Sequence, residues 1–171
     1  MKKPTIVDNI LPVKVHKFLH EFLIDEPVWN LNMFSNRDNH KIAGRVLYCK
    51  HQGINTQTKA QALAMMVFML IQDKAKFLST DLIRIHLGAK APLQDDEEHT
   101  DGDENETTIL YYLNDVWDKK WGGHTIVGKQ KIEYKPNRAV IYSADTPHRG
   151  TAGTSSNLRT YINYVVKGRY A

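Results

Sequence analysis

Cysteine is nearly absent from this chain. Cys49 stands alone among 171 residues, so no internal disulfide can form and the fold owes nothing to oxidation. A reducing, cytoplasmic setting is the expected address. Long apolar runs are missing as well: the longest, Ala62 to Ile71, is too short to cross a bilayer and reads as a buried helix. The first residues, Met1 to Asp8, hold no apolar signal core, so no membrane partner is expected. Strong charge of one sign is lacking too. The formal net charge is +4 and the basic residues are scattered, which argues against nucleic acid as a partner. Internal repeats, low-complexity segments and dividing linkers are not found. With 42% hydrophobic and 25% charged residues, the chain reads as one domain, 1–171, with a proper core. Its oligomeric state is not written in the sequence.

What is present falls into two textures. Residues 5–10 alternate like a short strand. Pro12 suits a first helical turn, and Val15, Phe18, Leu19 and Phe22 follow at helical spacing, with Asp25-Glu26-Pro27 as the stop. Val28 to Phe34 resembles a strand. Residues 35–56 read as a polar, irregular connection rich in turn formers such as Gly44 and Gly53, either a loop over a site or a plain surface link. Thr58-Lys59-Ala60-Gln61 fits a capping box opening a helix to about Lys76. Its face of Leu63, Met66, Val67 and Leu70 should pack on a sheet, with Met65, Met66 and Met69 as core filler. From residue 78 onward short strands take over: Leu82–Lys90, Gln94–His99, Thr107–Asn114, Thr125–Val127, Lys131–Tyr134, Ala139–Ser143 and Leu158–Val166. Turn signals at Asp101-Gly102-Asp103, Gly122-Gly123, Pro136-Asn137 and 150–156 separate them. Two helices followed by closely spaced strands predict a mainly β fold, an antiparallel sandwich or barrel braced by 1–77.

One grouping carries chemistry. In His99-Thr100-Asp101 the imidazole and carboxylate are two residues apart, so on an extended strand end they point the same way. With His148 from a distant strand they make the two-histidine, one-carboxylate set of a facial-triad Fe(II) site, which leaves cis positions open. A structural zinc site would call for four ligands, usually with cysteine; a His2Asp zinc hydrolase stays open. So does a solvated surface, because eight of the twelve residues from Asp95 to Glu106 are acidic. That run fails as a calcium loop: counted from Asp101, Glu106 falls where the turn glycine belongs and Tyr112 where the bidentate glutamate belongs. Arg159, eleven residues after His148, alternates with apolar neighbours on a strand. A guanidinium inside a barrel costs several kcal/mol without a partner anion. A small diacid would supply one through a bidentate pair; an internal carboxylate or the barrel rim would serve too.

Five segments in consistent order then resemble a known family: His99-Thr100-Asp101, Ile109 to Asn114, Trp121-Gly122-Gly123-His124-Thr125, Pro147-His148-Arg149-Gly150 and Arg159-Thr160-Tyr161. Over about residues 80–168 the chain resembles the 2-oxoglutarate- and Fe(II)-dependent oxygenases, most of all their prolyl 4-hydroxylase-like branch. The resemblance implies a double-stranded β-helix, jelly-roll or cupin-like, braced by the amino-terminal helices. It implies Fe(II) held by His99, Asp101 and His148, and 2-oxoglutarate held at its distal carboxylate by Arg159 with the Tyr112 hydroxyl as second donor. Thr108, Leu110 and Tyr112 share one strand face toward the cosubstrate, Tyr111 points away, and Thr125 faces inward. Two positions depart from the pattern. His86 stands where the related prolyl hydroxylases often carry a tyrosine, and either reaches toward the iron-proximal carboxylate or is a plain strand histidine. His124 replaces a glutamate or apolar residue, and parity turns it away from the metal.

The implied reaction consumes O2, converts 2-oxoglutarate to succinate and CO2 and hydroxylates an unactivated C–H bond, with ascorbate as an accompanying reductant and no side-chain general base. The first substrate expectation is a prolyl residue in a peptide or protein, admitted along 35–56 and the strand of His86. A free amino acid or other small molecule is the alternative. A non-catalytic metal- or sugar-binding β-barrel is the reading from a different class.

Overall fold

The computed structural model describes residues 2–25, 30–31, 42–77, 79, 81–92, 94–154 and 156–168. These residues form eleven strands and two α-helices, in the order β1 (Thr5–Asp8), α1 (Val13–Asp25), β2 (Asn30–Leu31), β3 (Ile42–Cys49), β4 (Ile54–Asn55), α2 (Lys59–Ala75), β5 (Leu82–Lys90) and β6 (Glu106–Tyr112). Then come a 3-10 turn (Lys119–Trp121), β7 (Thr125–Val127), β8 (Gln130–Ile132), β9 (Arg138–Ser143), β10 (His148–Gly150) and β11 (Arg159–Lys167). The larger sheet is antiparallel, in the order β1-β9-β6-β11-β5-β3-β2, with β4 beside β3; the smaller runs β10-β7-β8.

Strand parity sorts the large sheet into two faces. Ile85 and Leu87, Ile109 and Tyr111, Ala139 and Ile141, Ile162 and Tyr164 point into one cluster with Leu19, Leu23, Val67 and Ile71 of the helices. Leu110, Tyr112, Val140, Tyr142 and Tyr161 point the other way and pack on Val127 and Ile132 of the small sheet, and on Tyr134 beyond it. This is the expected double-stranded β-helix arrangement: helices on one side, a site between the sheets on the other.

The later strands lie where the alternation put them, with β5 and β7 coinciding and β6, β8, β9 and β11 within two residues. Gln94–His99 is a correction, because it forms no ladder. Its backbone is tied to β10 by Asp96 N–H to Gly150 C=O (2.9 Å) and by the pairing of His99 with His148. Four consecutive acids, Asp95 to Glu98, give it no apolar face to bury. The second correction is larger. Within 35–56, residues Ile42 to Cys49 form a strand inside the main sheet, paired with β5 on one side and β2 on the other. The run Val46-Leu47-Tyr48-Cys49 is apolar enough for that, and Val46, Leu47 and Cys49 are buried. Gly44 is a spacer here rather than a turn former, since a Cβ on it would lie 2.5 Å from the His86 ring. β2 falls within the expected Val28–Phe34; the rest of that stretch and 35–41 lie outside the described residues.

Both helices form where expected but turn different faces inward. In α1 the buried positions are His16, Leu19 and Leu23, while Val15 and Phe18 are exposed. The hydrophobic stripe is rotated because His16 is an anchor: its Nδ1 lies 2.6 Å from the Tyr111 hydroxyl and its Nε2 2.8 Å from Asn114 C=O. In α2 the Thr58 hydroxyl accepts from Gln61 N–H, and the Gln61 side chain reaches back to Gln57 N–H rather than to the cap residue itself. Small Ala60 and Ala64 let the helix approach the sheet, where the Tyr164 hydroxyl donates to Ala64 C=O at 2.8 Å and Phe68 stacks on Tyr164. Leu70, Met65 and Met69 face outward, so those methionines are not core filler. Burial fixes a contrast for α1. Leu23→Ala should cost about 2–5 kcal/mol by the cavity it leaves, whereas Phe18→Ser should stay within about 0.5 kcal/mol. Denaturant midpoints check both, and equal losses would contradict the assigned face.

Candidate metal centre

The two histidines meet through the backbone. His99 N–H donates to His148 C=O at 3.0 Å and His148 N–H donates back to His99 C=O at 2.9 Å. Residues paired in this way have Cα atoms about 5.5 Å apart, and the two rings stand 4.4 Å apart. Each ring is oriented from behind. His99 Nδ1 sits 2.9 Å from Glu97 C=O and His148 Nδ1 3.0 Å from Thr146 C=O. A carbonyl only accepts, so each Nδ1 carries the proton and each Nε2 lone pair is available to a metal. Asp101, two residues beyond His99, is pinned by its own N–H to Ala144 C=O at 2.9 Å. One ligand atom from each of His99, Asp101 and His148 lies within 4.8 Å of the others. His124 is not in this group, as parity required.

Asp101 is held on every side. Arg84 Nη2 donates to Oδ1 at 2.6 Å; Thr108 Oγ1 and Asn163 Nδ2 donate to Oδ2 at 3.1 and 3.0 Å. Burial by itself would raise its pKa, but the contact with His148, 3.3 Å away, and the Arg84 charge hold the carboxyl far below the usual range. Burial likewise works against a charged His148, and Asp101 overcomes it, raising the imidazole's pKa. Anion and proton donor face each other where a divalent cation could replace the proton.

At the other end of the same cavity, Arg159 is 1% exposed. Its Nε donates to Gly123 C=O at 2.7 Å and its Nη2 to the Thr125 hydroxyl at 2.8 Å. Tyr112, Tyr134 and Tyr161 surround the guanidinium with ring centres 5.2–5.5 Å away. Among the described residues no carboxylate lies within ion-pair distance of it. The cavity joining the two ends measures about 310 Å³, room for a small ligand. Leu110, Thr125 and His86 line it as expected. Thr108 and Tyr112 do not. Thr108 stands behind Asp101, and Tyr112 gives its hydroxyl to Thr125 at 2.8 Å instead of opening on the cavity. His86 is kept neutral, its pKa pushed down to about 4 by burial and then by Arg84.

Sequence reasoning missed Arg84, Lys90, Asp96, Tyr142, Tyr161 and Asn163, all of which line the cavity. The signal for most was parity. Arg84, His86 and Lys90 alternate on β5, and Arg159, Tyr161 and Asn163 on β11, facing each other across the ladder. Asp96, in a segment without periodicity, offered none. Four buried polar atoms on this wall find no hydrogen-bond partner among the described residues: Arg84 Nε, His86 Nε2, Tyr142 Oη and Asn163 Oδ1. Buried polar groups in native proteins are nearly always satisfied, so their concentration around one cavity fits a polar ligand and a hydrated ion. Two imidazoles and a carboxylate suit Fe(II), and the carboxylate-free guanidinium suits a diacid's tail.

Residues 82–166 match the sequence profile of the 2OG-Fe(II) oxygenase superfamily. The chain belongs to that superfamily. No curated protein sequence matches it. Among solved structures it resembles a Pseudomonas putida prolyl-4-hydroxylase at 16% identity and TM-score 0.68, covering 98% of this chain and 93% of that one. A Trichoplax adhaerens prolyl hydroxylase, in complex with a hypoxia inducible factor oxygen degradation domain peptide fragment, gives 14%, 0.64, 96% and 83%. The carbocyclase SnoK from nogalamycin biosynthesis, described as non-heme and alpha ketoglutarate dependent, gives 13%, 0.66, 98% and 80%. At these identities the likeness is one of fold.

The hydrogen bonds around Asp101 generate a contrast in metal affinity. Asn163→Leu should weaken binding of a divalent ion by roughly 10–100-fold, the usual effect of removing a group that orients a ligand. His124→Ala should leave it unchanged. Calorimetric titration with Mn(II) measures both, and the reverse pattern would contradict the ligand set.

Proposed function

We propose that the chain is a 2-oxoglutarate-dependent Fe(II) dioxygenase acting on a prolyl residue of a peptide or protein. The observation that carries the chemistry is the pairing of the His99, Asp101 and His148 donors with the carboxylate-free Arg159 across one cavity. In this reading His99, Asp101 and His148 hold the iron. Arg159 and the Thr125 hydroxyl hold the distal carboxylate of 2-oxoglutarate. Tyr112 fixes Thr125, and Thr108 with Asn163 fixes the Asp101 carboxylate. Bound iron supplies O2 activation coupled to decarboxylation of the keto acid to succinate and CO2.

The chain's own residues orient and shelter. Arg159, seated against three tyrosine rings, sets how far the diacid reaches. His86 is neutral, lines the cavity and has an Nε2 with no hydrogen-bond partner among the described residues, so it could hold a polar atom of the keto acid. Leu110 and Tyr161 keep water from the buried end. The prolyl assignment draws support from fold likeness over nearly the whole chain to prolyl hydroxylases, one of them with a peptide. A small molecule, free amino acids included, is the second reading, favoured by the comparable likeness to a carbocyclase of nogalamycin biosynthesis. Ascorbate as reductant and a cytoplasmic address belong to the same proposal; among the described residues no helix is long and apolar enough to cross a membrane.

Two measurements test this reading. Arg159→Ala should weaken 2-oxoglutarate binding by about 2–5 kcal/mol, the cost of removing one partner of a buried charge pair, and unchanged affinity would refute the anchor. Proline-containing peptides incubated with Fe(II), 2-oxoglutarate and O2 should gain the mass of one oxygen with matching succinate. Succinate formed only with small molecules would transfer the assignment to the second reading.

A further inference from the structure

Arg159 is not the only cation buried at its end of the cavity. Lys90, the last residue of β5, is its direct cross-strand neighbour on β11, and both are 1% exposed. Like charges placed directly opposite on an antiparallel pair are destabilising. Here they are also out of water, which magnifies their repulsion. The carboxylate in this corner goes to Lys90: Asp96 pairs with its ammonium and also accepts from Gly150 N–H at 3.2 Å. All three charges crowd one glycine. A Cβ on Gly150 would lie 2.9 Å from Lys90 Cε and 3.2 Å from both Arg159 Nη1 and Asp96 Oδ2. Burial depresses the pKa of Lys90, Asp96 raises it and Arg159 depresses it again, so the amine feels the guanidinium. Among the described residues two buried cations share one buried carboxylate, Asp96, while the exposed Asp95 acts on Lys90 only as the weakest of these influences, so the corner keeps an excess of positive charge.

We infer that Lys90 is a second cation for the distal carboxylate of the keto acid, and that Asp96 is the built-in counter-anion holding Lys90 beside Arg159. The inference rests on the reading of the site as a 2-oxo acid pocket and goes one step further. The cluster becomes neutral only when a second carboxylate arrives, so the pocket selects a 2-oxo dicarboxylate over a 2-oxo monocarboxylate by charge count as well as by reach. Asp96 also joins this corner to the metal, since it lies three residues before His99 and its backbone is tied to Gly150, two residues after His148. A diacid that settles between the cations therefore bears on the strand pair that carries both histidines. Lys90 and Asp96 are specificity and positioning residues in this scheme, and neither moves a proton.

The test uses the full chain loaded with redox-inert Mn(II), with calorimetric titration of 2-oxoglutarate and of 2-oxobutyrate, which has the same chelating end and no distal carboxylate. Lys90→Met, which leaves Asp96 facing the incoming carboxylate, should weaken 2-oxoglutarate about 100-fold and leave 2-oxobutyrate unchanged. Asp96→Asn should act oppositely, tightening 2-oxoglutarate about 10-fold by removing the competing anion. The double variant should bind 2-oxoglutarate as the wild type does, not about 10-fold more weakly as independent effects would give, a non-additivity that marks direct coupling. A double variant about 10-fold weaker would overturn the coupling. If both single variants weaken both ligands alike, the pair only supports the fold and the inference is overturned. It is overturned as well if Arg159→Ala loses 2-oxoglutarate while Lys90→Met binds it as the wild type does; the reading of the site then survives. A wild type that binds neither keto acid would overturn the reading and the inference together. Should Lys90→Met fail to fold, the near-isosteric Asp96→Asn decides alone: tighter binding supports the inference and weaker binding overturns it.

Discussion

Two backbone hydrogen bonds between His99 and His148 are the constraint on which the site depends. They join the end of an acidic, unpaired segment to the edge strand of the small sheet, at lengths of 3.0 and 2.9 Å. Without them the His99 imidazole would hang from a loop at no fixed distance from His148, which β7 holds in the small sheet. With them, the separation of the rings is set by the chain rather than by the ion, and Asp101 follows two residues later on the same side. The carbonyls of Glu97 and Thr146 then choose which nitrogen of each ring faces inward. Charge completes the preparation: Arg84, Thr108 and Asn163 fix a carboxylate that burial would otherwise neutralise.

A second constraint lies along the other axis of the sheet. β11 starts with a buried arginine and β5 ends with a buried lysine, directly opposed. The fold tolerates this because Asp96, three tyrosine rings and the Gly123 carbonyl share the positive charge without cancelling it. Metal donors at one end and excess positive charge at the other give the cavity a direction, which a molecule with a chelating head and an anionic tail would match. The amino-terminal elements contribute from behind: β3 closes the cavity wall with Val46 and β1 extends the sheet beside β9. The helices seal the opposite face.

Much of this was legible in the sequence, and the reasons are physical. Parity on β6 separated Tyr112 from Tyr111, and the structure sends one to each cluster. Periodicity found α1 and α2, but it ranks residues by hydrophobicity alone. It therefore chose Val15 and Phe18 over His16, whose burial rests on two hydrogen bonds to partners about a hundred residues away. The strand Ile42 to Cys49 was hidden by glycine, which signals a turn by its freedom but serves here as space for the His86 ring. Arg84 and Lys90 stood on the same strand face as His86 and could have been read with it. Asp96 could not, because its position comes from tertiary pairing with Gly150 and Lys90. Tyr112 was placed on the right face and given too direct a part, since Thr125 stands between its hydroxyl and the cavity.

In the proposed reading, three side chains distant in sequence bind one ferrous ion with room left for a chelating keto acid. Anaerobic optical titration tests it most directly. Fe(II) and 2-oxoglutarate together should produce a weak visible charge-transfer absorption that neither gives with the protein alone. The band should disappear when Asp101 is replaced by alanine. A spectrum that stays flat with both present, or a band that persists in Asp101→Ala, would contradict the account.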